Sequence, residues 1–153
     1  MDPRYIEVPV NRVFLRTDNP RFSGGPVENE AAAIEKLCSE DDVLALATDI
    51  ADVGLNPMDV AGVMKSDANT YITGEGNRRF CALKLLNDPE RAPQSQRKAF
   101  KKLAESSRHS FENAHFHRYT HHRLVQKSSC HLFPSCAIRT NESEGPHDPL
   151  VYG

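Results

Sequence analysis

The run Thr70-Tyr71-Ile72-Thr73-Gly74-Glu75-Gly76-Asn77-Arg78-Arg79 constrains this chain more than any other. Its first four residues are β-branched or aromatic, the types that suit a pleated strand. Two glycines one residue apart then break the strand. Directly behind them, NRRFCALKLLN reads as a helix with Phe80, Leu83 and Leu86 on its inner side. A strand that turns at glycine into a helix calls for an α+β fold, a small mixed β-sheet with packed helices.

The other segments agree with that reading. Tyr5-Ile6-Glu7-Val8-Pro9-Val10 alternates polar and apolar residues and predicts a first strand, with Pro9 placing it at an edge or near its own end. Val13-Phe14-Leu15 continues the apolar signal, and residues 18–26 form a turn-rich loop. A helix is expected from Glu28 to Cys38. A second is expected to start at Ser39 as N-cap, with Asp42 three residues on as a variant of the capping box. In that helix Val43, Leu46, Ala47, Ile50 and Ala51 recur at i, i+3, i+4, i+7 and i+8, and Gly54 is placed to end it. Val60 to Met64 reads as a strand joined to Thr70–Thr73 by hairpin-turn residues 66–69. A last helix, about Pro93 to Ala104, turns Phe100 and Leu103 inward and shows Arg97, Lys98, Lys101 and Lys102 on its other faces.

The chemistry concentrates at the strand-to-helix turn. Gly74 and Gly76 let the backbone turn tightly and approach a ligand. The first N–H groups of a helix lack intrahelical partners, and the helix dipole favours an anion there. Asn77 can cap the helix or offer its amide, and Arg78 and Arg79 supply guanidinium groups suited to phosphate. Successive helical residues point about 100° apart, so one arginine faces such a ligand fully. A plain helix cap with two solvated arginines is the competing reading of the same residues. Charge supports the first. Residues 1–76 hold 6 Lys/Arg against 14 Asp/Glu, while residues 77–109 hold 9 against 3, so polyanions are expected at that end.

The order of strand, Asn19-Pro20-Arg21 loop, helices, hairpin and EGNRRFCALKLL resembles the N-terminal domain of the ParB/sulfiredoxin superfamily, in the Glu-Gly-Asn-Arg-Arg variant similar to ParB-like domains of phages and mobile elements. Asn19-Pro20-Arg21 resembles the family's proline-arginine element. Gly76, Arg78, Arg79 and Ala82 resemble its Gly-Glu-Arg-Arg-x-Arg-Ala element. The resemblance covers roughly residues 5–105 and bears on fold more than on activity. It implies a nucleotide-binding domain, for CTP or an ATP-like triphosphate with Mg²⁺, in a DNA-associated protein of partition, plasmid or phage type. Gly76, Arg78 and Arg79 would hold phosphates and Arg21 would assist from the facing loop; the basic helix with Arg97, Lys98, Lys101 and Lys102 reads equally as a DNA contact or as a solvated face. Its implied partners are a nucleoside triphosphate, DNA and a second copy of the chain.

Two departures qualify the activity. Asn77 stands where the family has glutamate, and Cys81 where it has a third arginine. Asn77 can ligate Mg²⁺ only weakly and without base capacity, so Glu75 is the candidate metal ligand or catalytic base. Binding is thus expected more firmly than a weak NTPase activity. A ParB-like nuclease or DNA-binding module without nucleotide is one alternative, though Glu75 and Asp67 are few carboxylates for metal-assisted cleavage. An inactive, truncated interaction module is another. The sulfiredoxin reaction is rejected, because the cysteine it needs would fall at Gly76, and Cys81 lies deeper in the helix.

At 153 residues the chain has room for one domain, taken here as residues 1–105. Hydrophobic residues make up 39%, and mean hydropathy is −0.56, so part of the chain is expected to stay outside the core. Residues 106–153 carry all seven histidines and no sustained periodicity. They read as an irregular tail, either disordered or translated out of frame. His115-x-His117, His121-His122 and Cys130-His131 follow no finger or ribbon spacing, and no zinc is expected. The four cysteines include no CxxC, and reduced thiols are expected. No apolar run is long enough to span a membrane, and the N-terminus lacks a signal-peptide pattern, which together predict a cytoplasmic protein.

Overall fold

The computed structural model describes residues 5–56, 58 and 61–119. Five strands and four helices follow one another as β1 (Tyr5–Pro9), β2 (Val13–Phe14), α1 (Glu30–Glu40), α2 (Val43–Val53), β3 (Gly62–Lys65), β4 (Tyr71–Glu75), α3 (Asn77–Asn87), α4 (Gln94–Ser106) and β5 (Asn113–Tyr119). Short 3₁₀ turns fill Val10–Arg12 and Pro89–Arg91. The expected α+β architecture, a small mixed sheet with packed helices, is what the chain adopts.

The strands join in the order β1-β5-β3-β4-β2. β1 and β5 run antiparallel, β5 and β3 parallel, β3 and β4 antiparallel, and β4 and β2 parallel. Pro9 ends β1 at the sheet edge, where a missing N–H breaks no ladder. β3 and β4 form the expected hairpin, closed by the Ser66 N–H donating to Thr70 O at 3.0 Å.

Strand β5 departs from the expected irregular tail. It lies inside the sheet, with Ala114 and Phe116 buried and His115 exposed between them. Phe116 packs on Phe80 of α3 with ring centroids 4.3 Å apart. The folded unit therefore reaches at least Tyr119, beyond the expected limit at 105. The pattern Ala-His-Phe-His carries strand alternation, but the crowd of histidines masked it. His121, His122, Cys130 and His131 lie outside the described residues.

The helix boundaries also shift. Asn29 caps α1 by accepting from the Ala32 N–H at 3.0 Å, and Ser39 lies within α1 rather than starting the next helix. Asp42 is the cap of α2: it adopts φ 46° and accepts from the Ala45 N–H at 3.3 Å. The predicted face of α2 is correct, with Val43, Ala47, Ile50 and Ala51 buried and Leu46 packed beside them. Gly54 ends it at φ 82°.

Helix α3 is enclosed on nearly every side. Phe80 through Leu86 are all buried, including Lys84 at 2% exposure. Lys84 Nζ lies 2.9 Å from Glu30 Oε1, and Arg91 pairs with the other Glu30 oxygen. Burial alone would raise the Glu30 pKa, but the Leu15 N–H at 2.9 Å, Lys84 and Arg91 outweigh it and hold the carboxyl below its ordinary value.

Candidate functional site

Strand β4 does not end at Gly74. Gly62 pairs with Glu75 and Val63 with Thr73, which leaves Gly74 as the extra residue of a bulge. Gly74 belongs to the strand, and the turn rests on Gly76 alone. Gly76 sits at φ 85°, in the left-handed region that disfavours side chains. A Cβ there would also lie 3.0 Å from Ala61 Cβ. Both facts demand glycine. Helix α3 starts at the next residue, and no side chain caps it. Its first N–H groups thus carry the partial positive charge of an eleven-residue helix.

Arg78 is exposed on the first turn of α3, and its Nη2 donates to Asp42 O at 3.2 Å. Arg79 is half-buried, with a guanidinium nitrogen 3.8 Å from where a Gly76 Cβ would stand. The two arginines diverge, as their helical offset requires. Glu75 is exposed at the last position of β4, beside the turn.

Asn77 behaves unlike the sequence expectation of a cap or an outward amide. It is 8% exposed. Its Oδ1 accepts from the Arg16 N–H at 3.0 Å and from the Thr73 hydroxyl, and its Nδ2 donates to Arg16 O at 2.9 Å. The amide oxygen that would face Mg²⁺ is already committed, so Asn77 does not fit the metal role. Nothing in the sequence announces this contact, because Arg16 and Asn77 are 61 residues apart.

The loop carrying Arg21 closes on itself where the Val27 N–H donates to Thr17 O at 2.9 Å. Asn19 folds its tip by accepting from the Arg21 N–H at 3.1 Å, and buried Phe22 anchors it. Arg21 itself is exposed. Two contacts at Ser23 tie this loop to α1: its hydroxyl donates to Glu40, and its carbonyl accepts from Lys36 Nζ. Glu40 and Asp42 are two residues apart, so the Arg21 loop and Arg78 are both tethered to the α1–α2 junction. The proline-arginine loop and the Arg78 side chain, far apart in sequence, thus both reach the α1–α2 junction.

The basic helix is less open than expected. Arg97 Nη1 lies 3.6 Å from Glu90 Oε2, and Lys101 pairs with the other Glu90 oxygen. Arg97 also donates to Ala92 O at 3.1 Å. Lys98 and Lys102 are exposed. Cys81 is fully buried in α3, and its hydrogen bond with Cys38, then burial, push its thiol pKa well up. It is a poor source of thiolate.

Among the described residues, no group of three or more His, Cys, Asp or Glu is placed to share a metal ion. No described helix is long and apolar enough to cross a membrane.

No family model matches this chain, and no curated protein matches it. Among solved structures it is similar to the C-terminally truncated chromosome-partitioning protein ParB from Caulobacter crescentus, complexed with CTP-γ-S. The TM-score is 0.46 at 15% identity, over 80% of this chain and 49% of that one. The chain spans about half the length of that protein. The α+β architecture stands on the strand pairings and helices themselves.

Proposed function

We propose that this chain binds a nucleoside triphosphate, CTP- or ATP-like, through its phosphates at the N-terminus of α3. One observation carries the reading: Gly76, held in a conformation and a contact that only glycine tolerates, opens an uncapped helix flanked by Arg78 and Arg79. Backbone N–H groups, the helix dipole and one of the two guanidinium groups would then act on the same anion. Arg21 is a candidate for a further phosphate contact, because its loop is tethered at the α1–α2 junction that also holds Arg78. A metal ion carried in with the triphosphate would spread its charge, and Glu75, exposed beside the turn, would be the carboxylate to meet it. In the resemblance to ParB-like domains, such a module belongs to a DNA-associated protein of partition, plasmid or phage type.

Weak hydrolysis would fall to Glu75 as base. No observation favours the nuclease reading. DNA contact through α4 would rest on Lys98 and Lys102, since Arg97 and Lys101 are paired with Glu90.

The test is equilibrium binding of labelled CTP and ATP, with Mg²⁺, to the full chain and to its Arg78→Ala variant. Micromolar binding, about −8 kcal/mol, weakened at least tenfold in the variant supports the reading. A folded wild-type chain that binds neither nucleotide defeats it.

A further inference from the structure

The segment leaving β2 is gripped by side chains at two consecutive peptides. The Leu15 N–H donates to Glu30 Oε1 at 2.9 Å, and Glu30 is itself fixed by Lys84 of α3. The next residue, Arg16, is held at both of its backbone polar groups. Its N–H is shared between Thr73 Oγ1 at 2.8 Å and Asn77 Oδ1 at 3.0 Å, and its carbonyl accepts from Asn77 Nδ2 at 2.9 Å. The Thr73 hydroxyl, accepting from Arg16, donates onward to Asn77. Thr73 is 1% exposed and Asn77 8%.

This arrangement is more than secondary structure requires. β2 pairs with β4 only at Val13 and Phe14, so the ladder has already ended when Arg16 is reached. Side chains continue the attachment where backbone pairing stops. One residue beyond Arg16, Thr17 closes the base of the loop that carries Arg21. Thr73 and Asn77 flank Gly76 within four residues. The base of one arginine-bearing segment is thus bolted to the turn that opens the other.

We infer that Thr73 and Asn77 are positioning residues: through the Arg16 peptide they set the Arg21 loop against the Gly76–Arg79 turn and so preorganise the phosphate site. The inference rests on the phosphate-binding reading above. It gives Asn77 a task for which an amide suits and a carboxylate does not. One arm accepts from an N–H while the other donates to a C=O, and an ionised carboxylate has no donor. Preorganisation raises affinity by removing the ordering cost from the binding step.

The experiment compares the full-length wild type with Thr73→Val, Thr73→Ser, Asn77→Ala and Asn77→Asp. Amide hydrogen exchange is followed at residues 16–25, and Mg²⁺–CTP and Mg²⁺–ATP affinities are measured well below each unfolding midpoint. Thr73→Val keeps the shape and β-branching of the strand residue, so it tests the hydroxyl even if the Asn77 variants fail to fold. Thr73→Val and Asn77→Asp are expected to speed exchange at residues 16–25 and weaken nucleotide binding about tenfold, the effect of one buried hydrogen bond. Thr73→Ser, which restores the hydroxyl, should recover both. Unchanged affinity in a faster-exchanging Thr73→Val variant overturns the positioning role, as does unchanged exchange. A wild type that binds no nucleotide fails differently, because it removes the phosphate-binding reading itself, and the inference falls with it.

Discussion

At the scale of single residues, Gly76 and Glu30 show two ways of making a position irreplaceable. At Gly76 the constraint is steric: φ 85° and a 3.0 Å approach to Ala61 leave no place for a methyl group. Gly76→Ala is expected to cost about 2 kcal/mol, read as a lower denaturant midpoint at unchanged slope. At Glu30 the constraint is electrostatic. Removing the carboxylate strands Lys84, only 2% exposed, beside Arg91, so Glu30→Gln is expected to cost about 3 kcal/mol at pH 7. The Glu30 pKa is depressed in the folded state, so its contribution is complete above the unfolded value of about 4.3. It is lost as pH falls through the lower folded value. Wild-type unfolding free energies measured from pH 6 to pH 3 should decline, and Glu30→Gln should flatten part of that slope.

At the scale of elements, α4 divides its charge. Arg97 and Lys101 face Glu90, while Lys98 and Lys102 face solvent. Any salt-sensitive DNA binding by this chain is expected to run through the second pair. Replacing Lys98 and Lys102 with Gln should reduce the slope of log affinity against log salt by about 2, and replacing Arg97 and Lys101 by less. Filter binding across a salt series checks both. The elements also show what a sequence reveals. The face of α2, the β3–β4 hairpin and the turn into α3 were legible, because each is encoded by neighbours: a period, a turn tetrapeptide, a glycine. The bulge at Gly74 was not, since a glycine reads equally as a break or as an extra strand residue. Asp42 read as the partner of a Ser39 cap but is itself the cap of α2, because both residues carry the side-chain oxygen a cap needs and α1 runs on through Ser39. In the site, Gly76, Arg78 and Arg79 could be proposed from local chemistry, and Arg21 only from the resemblance to ParB-like domains. The pairing of Asn77 with Arg16 could not, because a buried amide that grips a distant peptide has the same local sequence as one that faces water.

At the scale of the molecule, β5 is the piece that completes the sheet. Among the described residues β1 pairs only with β5, which links it to β3. A chain stopped after residue 107 is therefore expected to lose cooperative unfolding, not just a tail, as followed by near-ultraviolet circular dichroism on heating. Within the intact chain, Phe116→Ala should cost about 4 kcal/mol through the cavity left against Phe80, measured by chemical denaturation. These outcomes would fix the smallest unit on which nucleotide binding can sensibly be measured.

The strand order has a consequence for how the protein is made. Tyr5 faces His117 across the sheet, more than a hundred residues later in the chain. During synthesis β1 emerges ahead of the other described strands and must wait, unpaired, while α1 to α4 and the hairpin leave the ribosome before β5. Helices and hairpin can form early from local contacts, but the β1–β5 seam pays the full loop-closure cost and closes last. The nascent chain thus carries an open strand edge until β5 arrives, and the described sheet is completed by the latest of its five strands.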